Sequence, residues 1–175
     1  MTRIYTRTGD DGSTYCYFLG SRVPKDHPII EFIGTLDEAN SHIGLARAFI
    51  KGEKELEELD NLLESLQRLL FNVGFSPSSP DKITETHLRS IEQLIDKYSS
   101  SIKLDSFILP SGSTVSAQLH VARTVVRRAE RRLVKLVEQG LYPRLSLMIL
   151  NRISDLLFVL ALEANRLLGV SETTL

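Results

Sequence analysis

The sequence contains little of several residue types, and each scarcity excludes a class of protein. Cysteine occurs once, at Cys16, so the chain forms neither an internal disulfide nor a cysteine-rich metal site. Tryptophan is absent and aromatic residues make up 7% of the chain, which predicts a core of leucine, isoleucine and valine. The net charge is only −1, which argues against a nucleic-acid-binding protein that works through overall charge.

The chain also lacks long apolar runs. No stretch approaches about 18 uninterrupted apolar residues, and the N-terminus is polar where a signal sequence would be apolar. We therefore expect neither secretion nor membrane insertion, and the single cysteine is compatible with a reducing cytoplasm. The 175 residues, 42% hydrophobic and 25% charged, predict one globular domain of ordinary soluble composition.

Hydrophobic periodicity predicts five helices after an N-terminal arm. They cover about residues 28–50, 53–75, 83–99, 115–139 and 144–168, and Gly140 and Gly169 are typical of helix C-terminal caps. The arm, residues 1–26, is rich in glycine, aspartate, serine and threonine and is predicted to be mostly irregular. The fold class is therefore all-α: a five-helix bundle over residues 28–169, within a single domain spanning 1–175.

Residues 120–132 hold five arginines and only one acid. Apolar residues at steps of three and four place one face of this predicted helix in the core. They are Ala122, Val126, Ala129 and Leu133. The arginines also follow one another one turn apart, where like charges disfavour an isolated helix. Two interpretations stay open: a solvated face on which Glu130 pairs with arginines, or a surface that an anion neutralises.

The segment from Thr6 to Thr14 has the composition of an anion-binding loop. Gly9 and Gly12 allow backbone N–H groups to approach an anion, hydroxyls add hydrogen bonds, and Arg7 adds charge. Neither a Walker A motif nor a G-x-G-x-x-G motif is present. The same composition is typical of an ordinary turn, so this interpretation also stays open.

Several other polar residues stand out. Asn151 and Asp155 lie four residues apart in a strongly apolar run, and face either the interior or the wet edge of their helix. Asp37 and Glu38 could form a catalytic carboxylate pair, but adjacent helical residues point about 100° apart, which favours an ion pair with an arginine. The four histidines lack metal-ligand spacing, so no metal-binding residue is predicted.

Taken together, five segments closely resemble the PduO-type ATP:cob(I)alamin adenosyltransferases. They are residues 3–12, 34–41, 107–112, 120–131 and 151–158. The resemblance implies a ferritin-like five-helix bundle that assembles as a homotrimer, with active sites between subunits. Residues 15–22 depart from the family pattern, so the resemblance assigns no nucleotide contacts there. Many relatives continue beyond the position of Leu175, which implies less coverage of the corrin by this chain.

The resemblance implies that Co(I) of reduced cobalamin attacks the 5′ carbon of ATP and expels triphosphate. Adenosylcobalamin is the product, and Mg²⁺ bridges the phosphates. A first set of residues is implied to bind ATP through the arm: Thr6, Arg7, Thr8, Gly9, Thr14 and Lys25. A second set is implied to complete the ATP site from the helices: Arg127, Arg128, Glu130, Arg131 and Asn151.

The family pattern also implies catalytic and supporting roles. Arg127 is the catalytic cation, and Phe107 lies below the corrin, where it excludes an axial ligand that would hinder reduction of cobalt. Asp37 is implied to pair with Arg123 across the subunit interface, and Asp155 to orient neighbouring groups. Arg132 receives no role.

Two alternatives to this enzyme remain at the level of sequence. One is a non-catalytic ATP-binding helical oligomer that senses nucleotide, and the other is a structural oligomer whose arginines form interface ion pairs. For the enzyme we expect a cytoplasmic protein that binds no nucleic acid and no membrane. A cobalt reductase or a cobalamin-dependent acceptor enzyme is a further expected partner.

Overall fold

The computed structural model describes residues 4–100, 102 and 106–175. Arg3, the first residue of the resemblance, lies outside these ranges. Within them the chain forms the helices α1 Pro28–Ile50, α2 Glu57–Phe75, α3 Glu85–Ser99, α4 Thr114–Glu138 and α5 Arg144–Leu167. The predicted all-α bundle is confirmed, and each helix boundary agrees to within about one turn. A 3₁₀ turn, Lys54–Leu56, precedes α2, and another, Pro80–Lys82, precedes α3.

The core lies around α4 and α5, because α4 packs against both α1 and α5, and α5 also packs against α3. The predicted apolar stripe of α4 is fully buried, which confirms its periodicity: Ala122, Val126, Ala129 and Leu133. Helix α5 alone, among the residues the structure describes, is long and apolar enough to cross a membrane. Most of its apolar residues are buried in the bundle, as expected for the central helix of a globular fold.

Local signals in the sequence set the ends of α4 and hence its register against α5. The Ser113 hydroxyl accepts a hydrogen bond from the Ser116 N–H at 3.1 Å and caps the N-terminus. At the C-terminus, Gly140 has a φ of +71° and the Leu141 N–H donates to the Leu136 carbonyl at 2.9 Å. The chain therefore reverses within a few residues, and α5 returns antiparallel to α4.

The N-terminal arm is more regular than predicted. Strands β1 Ser13–Cys16 and β2 Ser21–Pro24 pair antiparallel in a hairpin. Cys16 and Val23 are buried, and the Phe18 ring packs edge-on against the Tyr142 ring at 6.1 Å. The arm is otherwise mostly turns and bends, as predicted. The sequence did not predict the hairpin, because two four-residue strands are too short for periodicity to indicate.

A second two-stranded ribbon lies at the other end of the described chain. Strand β3, Ile108–Leu109, pairs antiparallel with β4, Thr173–Thr174, so that Ile108 faces Thr174 and Leu109 faces Thr173. The sequence did not predict this pairing, since a two-residue strand has no periodicity of its own.

Candidate functional site

Helix α1 pairs with two of the five arginines of α4. Arg128 forms an ion pair with Glu38, and its hydrogen bond is the main cause that lowers the pKa of the Glu38 carboxyl. One turn later, Arg132 contacts Glu31 at 2.9 Å and donates to the Thr35 hydroxyl. Of the two adjacent acids Asp37 and Glu38, Glu38 therefore forms the expected ion pair with an arginine. Arg132, to which the sequence assigned no role, joins α4 to α1.

Two other arginines of α4 remain unpaired. Arg127 and Arg131 are exposed, lie one turn apart, and form no ion pair with any residue that the structure describes. Their guanidinium groups present parallel sets of N–H donors on one face of the helix. Like charges one turn apart repel each other, so a bound anion would stabilise this face.

Arg123 lies one turn before Arg127 in a different environment. It is partly buried, its Cζ lies 5.9 Å from the centre of the Phe158 ring, and its Nε has no hydrogen-bond partner among the described residues. Burial and the neighbouring Arg127 both lower the pKa of this guanidinium. Asp37, its predicted partner across the interface, is exposed on α1 and lines an apolar cavity of about 380 Å³ together with Phe71 and Phe75.

Polar side chains of α4 and α5 form a network next to the unpaired arginines. Asn151 donates to a Glu130 carboxylate oxygen at 3.0 Å and accepts from Arg152 at 2.6 Å. Arg152 in turn contacts Glu92 of α3 at 3.0 Å and Asp155 at 3.9 Å. Asn151 is thus held in one orientation from both sides of its amide. Glu130 and Asn151, predicted together at the site, do lie together.

The arm loop brings its predicted residues close to one another. Arg7 has a φ of +62°, which is unusual for a residue other than glycine. The hydroxyls of Thr6 and Thr8 on either side of Arg7 are 2.9 Å apart. A Cβ atom on Gly9 would lie 3.3 Å from the Lys25 Nζ, so the lysine ammonium lies directly over the glycine. The predicted glycine and lysine therefore share one small cationic loop, with Thr14 on the adjoining strand.

Arg22 holds this loop in place, and sequence reasoning missed it. Its Nε donates to the Ser13 hydroxyl at 3.0 Å, and a terminal nitrogen donates to the Thr8 carbonyl. Asp11 accepts from both the N–H and the hydroxyl of Ser13, which lowers the pKa of its carboxyl. Arg22 could not be identified from spacing, because it reaches the loop only through the pairing of β1 with β2.

The arm loop and the unpaired arginines are separate surfaces within one chain. No hydrogen bond or ion pair among the described residues joins the loop formed by residues 6–14 and Lys25 to Arg127, Arg131 or Asn151. The hairpin is anchored instead on Tyr142, at the end of the bundle.

Phe107 lies just before β3, with 82% of the residue exposed. Its carbonyl accepts a hydrogen bond from the Leu175 N–H at 3.0 Å. Because the ring has so little protein contact, it is available to a large apolar ligand.

Within the part of the chain that the structure describes, no group of three or more His, Cys, Asp or Glu side chains could hold a metal ion. A magnesium ion at this site would take its ligands mainly from phosphate oxygens and water, as is usual for Mg²⁺ bound with a nucleotide. The residues present fit that arrangement, since the arm loop and α4 offer cations and hydroxyls to the phosphates, while the Asp11 and Glu130 carboxylates accept hydrogen bonds from Ser13 and Asn151.

A buried histidine of α4, His120, lies beside the same Phe158 ring as Arg123. His120 is 2% exposed, its ring packs 5.9 Å from the Phe158 ring, and neither ring nitrogen has a hydrogen-bond partner among the described residues. Burial, with a smaller effect from Arg123, lowers the pKa of His120 from 6.5 to about 4. The imidazole is therefore neutral at physiological pH.

This buried histidine makes stability depend on pH in a defined window. The unfolded chain binds a proton near pH 6.5 that the folded chain binds only near pH 4, so stability is lost as the pH falls between these values. The maximum loss is about 3 kcal/mol. In His120→Leu, we expect urea denaturation to show a flatter dependence of unfolding free energy on pH, by up to about 1.4 kcal/mol per unit. An unchanged slope would contradict a buried neutral imidazole.

Together, the fold and the site define a class: a five-helix-bundle protein with two cationic surfaces that fit a polyphosphate. Comparison with known proteins identifies the family within this class. A sequence model of the cobalamin adenosyltransferase family matches residues 4–164. The chain belongs to the cobalamin adenosyltransferase family.

Sequence relatives support this assignment. The corrinoid adenosyltransferase of Bacillus subtilis is 39% identical over 176 residues, which cover 97% of this chain and 90% of the relative. The corrinoid adenosyltransferase of Homo sapiens is 42% identical over 175 residues, covering 92% and 68% of the two chains.

Solved structures agree with the fold. A variant of the PduO-type ATP:corrinoid adenosyltransferase from Lactobacillus reuteri, complexed with cobalamin and ATP, superimposes with a TM-score of 0.89 at 32% identity, covering 99% of both chains. Another variant of that protein, complexed with ATP, has the same TM-score at 33% identity and covers 98% of this chain and 99% of its own.

Proposed function

We propose that this protein transfers the 5′-deoxyadenosyl group of ATP to the cobalt of reduced cobalamin, forming adenosylcobalamin and releasing triphosphate. Membership of the family supports the reaction class. The observation that carries the proposal is the state of the α4 arginines. Arg127 and Arg131 have no ion-pair partner among the described residues, whereas Arg128 and Arg132 beside them are paired with α1. Two free guanidinium groups one turn apart fit a polyphosphate ligand.

The reaction requires stabilisation of a highly charged leaving group. The electron pair of Co(I) forms the bond to C5′, the C5′–O bond breaks, and triphosphate leaves with the electron pair of the broken C5′–O bond. Arg127 lies on the exposed face of α4, where it donates hydrogen bonds to the phosphate chain as negative charge develops on the leaving oxygen. Arg131 adds a second cation, and the Glu130–Asn151 pair sets the edge of the nucleotide site.

The arm supplies the other side of the phosphate site. Backbone N–H groups around Gly9, the hydroxyls of Thr6, Thr8 and Thr14, and the charges of Arg7 and Lys25 bind the triphosphate. Mg²⁺ bound with ATP would neutralise part of the phosphate charge beside these residues. Arg128 contacts ATP while it keeps its ion pair with Glu38, since a guanidinium has five N–H donors.

The cobalt substrate must also lose an axial ligand before it can be reduced. Co(II) is difficult to reduce while an axial ligand remains bound, and the exposed ring of Phe107 occupies the lower face of the corrin and excludes that ligand. An external one-electron donor, such as a reductase, then supplies Co(I). A cobalamin-dependent enzyme receives the product. We place these steps in the cytoplasm, which fits the free thiol of buried Cys16.

The active unit is a homotrimer with its sites at subunit interfaces. Three observations support this arrangement. No hydrogen bond or ion pair among the described residues joins the arm loop to Arg127 or Arg131, and in the proposed trimer the arm of one subunit faces α4 of the next. Large apolar side chains of α1 and α2 are 42–55% exposed, and an interface would bury them: Leu45, Phe49, Phe71 and Phe75. Arg123 has a buried Nε without a partner among the described residues, and Asp37 of a neighbouring subunit supplies one.

The proposed pair between Asp37 and Arg123 predicts the outcome of a charge swap. Asp37→Arg and Arg123→Asp should each weaken the trimer, by about 2–5 kcal/mol per interface, because one buried charge loses its partner. Combining both changes should restore the trimer, as measured by analytical ultracentrifugation. Glu38→Gln is the matched control, since Glu38 already pairs with Arg128 within its own chain. A double variant no more stable as a trimer than either single variant would refute the pairing.

An anaerobic assay with ATP, Mg²⁺ and chemically reduced cobalamin tests the proposed function. We expect adenosylcobalamin and inorganic triphosphate in equal amounts. Tight ATP binding without product would instead identify a nucleotide sensor, and the absence of ATP binding would identify a structural oligomer.

A further inference from the structure

The segment that follows α5 folds back beside Phe107. Its strand β4 pairs with β3, and one residue further on the Leu175 N–H donates to the Phe107 carbonyl at 3.0 Å. The Phe107 ring itself is 82% exposed, so contacts with the bundle do not hold it in place. Its position depends on how its backbone is held.

A fully buried amide connects the segments around this ribbon. Asn165, near the end of α5, is 0% exposed. Its Oδ1 accepts from the Ser113 N–H at 2.8 Å, and its Nδ2 donates to the Ser111 carbonyl at 3.4 Å and to Glu172 Oε1 at 3.0 Å. Asn165 therefore joins the loop after β3 to the segment that carries β4.

Gly112 allows the loop to lie directly against this amide. Its φ is +94°, and a Cβ atom there would come within 2.3 Å of Asn165 Nδ2. Real Cβ atoms essentially never come this close to another heavy atom, so any other residue at this position would displace the Asn165 amide. The buried Asn165 amide packs against the backbone of Gly112, and this close packing fixes one arrangement of the loop.

We propose that Asn165 and Glu172 are positioning residues for Phe107. Glu172 fastens the segment after α5 to the Asn165 amide, β4 then pairs with β3, and the backbone of Phe107 is held at the edge of the ribbon. A two-residue ladder is too short to persist without such support. The inference rests on the proposed role of Phe107 in excluding the axial ligand of cobalt.

The ladder offers a matched pair of variants. Because Leu175 donates to Phe107, the antiparallel pattern places Ile108 and Thr174 in a non-hydrogen-bonded pair, so the Thr174 N–H takes no part in the ladder. Leu175→Pro removes the donor to Phe107, whereas Thr174→Pro introduces the same ring and leaves the ladder bonds intact. The side chain of Glu172 offers a second pair: Glu172→Ala removes the acceptor of Asn165, and Glu172→Gln keeps it.

The first measurement compares adenosylation that starts from Co(II), with an external one-electron reductant, to adenosylation that starts from preformed Co(I). We expect Leu175→Pro and Glu172→Ala to lower the Co(II)-dependent rate about tenfold, which is about 1.4 kcal/mol. Their rates from preformed Co(I), and both rates of Thr174→Pro and Glu172→Gln, should stay near wild type. Equal losses from Co(II) and Co(I), or no loss in any variant, would overturn the proposal.

Hydrogen exchange at the Leu109 amide provides a readout that does not depend on the reaction. It should be faster in Leu175→Pro than in Thr174→Pro, and equal rates would overturn the role of the ladder. If the wild-type protein makes no adenosylcobalamin from either cobalt state, the proposed function fails. The exchange experiment still decides whether the β3–β4 ladder holds the backbone of Phe107.

Discussion

Arg127→Ala is expected to lower the turnover number from ATP and preformed Co(I) by about 10²–10³-fold, the loss typical when one preorganised donor to a developing anion is removed. Arg127 is exposed, and it forms no ion pair with the residues that the structure describes. Its removal therefore breaks no ion pair among the described residues and leaves no cavity in the core. Circular dichroism and sedimentation should show an intact helical oligomer, so that the loss is assigned to chemistry.

Two further variants sharpen this result. Arg127→Lys keeps the charge but loses the planar fork that binds two phosphate oxygens, so its turnover should lie between wild type and Arg127→Ala. Arg89→Ala is the matched control, because Arg89 is also an exposed arginine and makes no ion pair within the described ranges. It should keep wild-type turnover. A wild-type rate in Arg127→Ala would refute its assignment as the catalytic cation.

Phe107→Ala should have the second largest effect, confined to one cobalt state. The rate that starts from Co(II) should fall about 10²-fold, which is about 3 kcal/mol of activation free energy. An axial ligand would now reach the lower face of the corrin and oppose reduction. The rate that starts from preformed Co(I) should change little, because Co(I) no longer needs that ligand to be excluded. Both rates are measured anaerobically with the same external reductant.

The comparison of the two cobalt states is the internal control for Phe107. Its ring is 82% exposed, so truncation leaves no cavity in the core and should not change thermal stability. Phe107→Leu retains an apolar side chain of smaller area, and its Co(II)-dependent rate should lie between those of wild type and Phe107→Ala. Equal losses from Co(II) and Co(I) would contradict ligand exclusion and would indicate a role in binding the corrin alone.

The helices of this protein could be predicted from the sequence because each carries its own periodic signal. The buried stripe from Ala122 to Leu133 is continuous, and Gly140 and Gly169 mark helix ends through local backbone geometry. The two ribbons could not be predicted. Their strands are two to four residues long, and β3 pairs with a segment more than sixty residues later in the chain, so the pairing has no local signal.

The candidate site, too, could be predicted from the sequence only in part. The sequence indicated which residues are cationic, and the resemblance to a family assigned their roles. It could not indicate that Glu38 and Glu31 neutralise Arg128 and Arg132, because that depends on how α1 packs against α4. For the same reason it left Arg22 and Asn165 unassigned, although each holds a loop of the site in place.

By itself, then, the sequence determined the number and length of the helices, the apolar face that each one buries, and the family to which the chain is similar. Those properties depend on residues within a few turns of one another. Only the tertiary structure decided which arginines of α4 are left free and what holds Phe107 in place. Both depend on contacts between distant segments, where the position of one backbone relative to another determines whether a charge finds a partner.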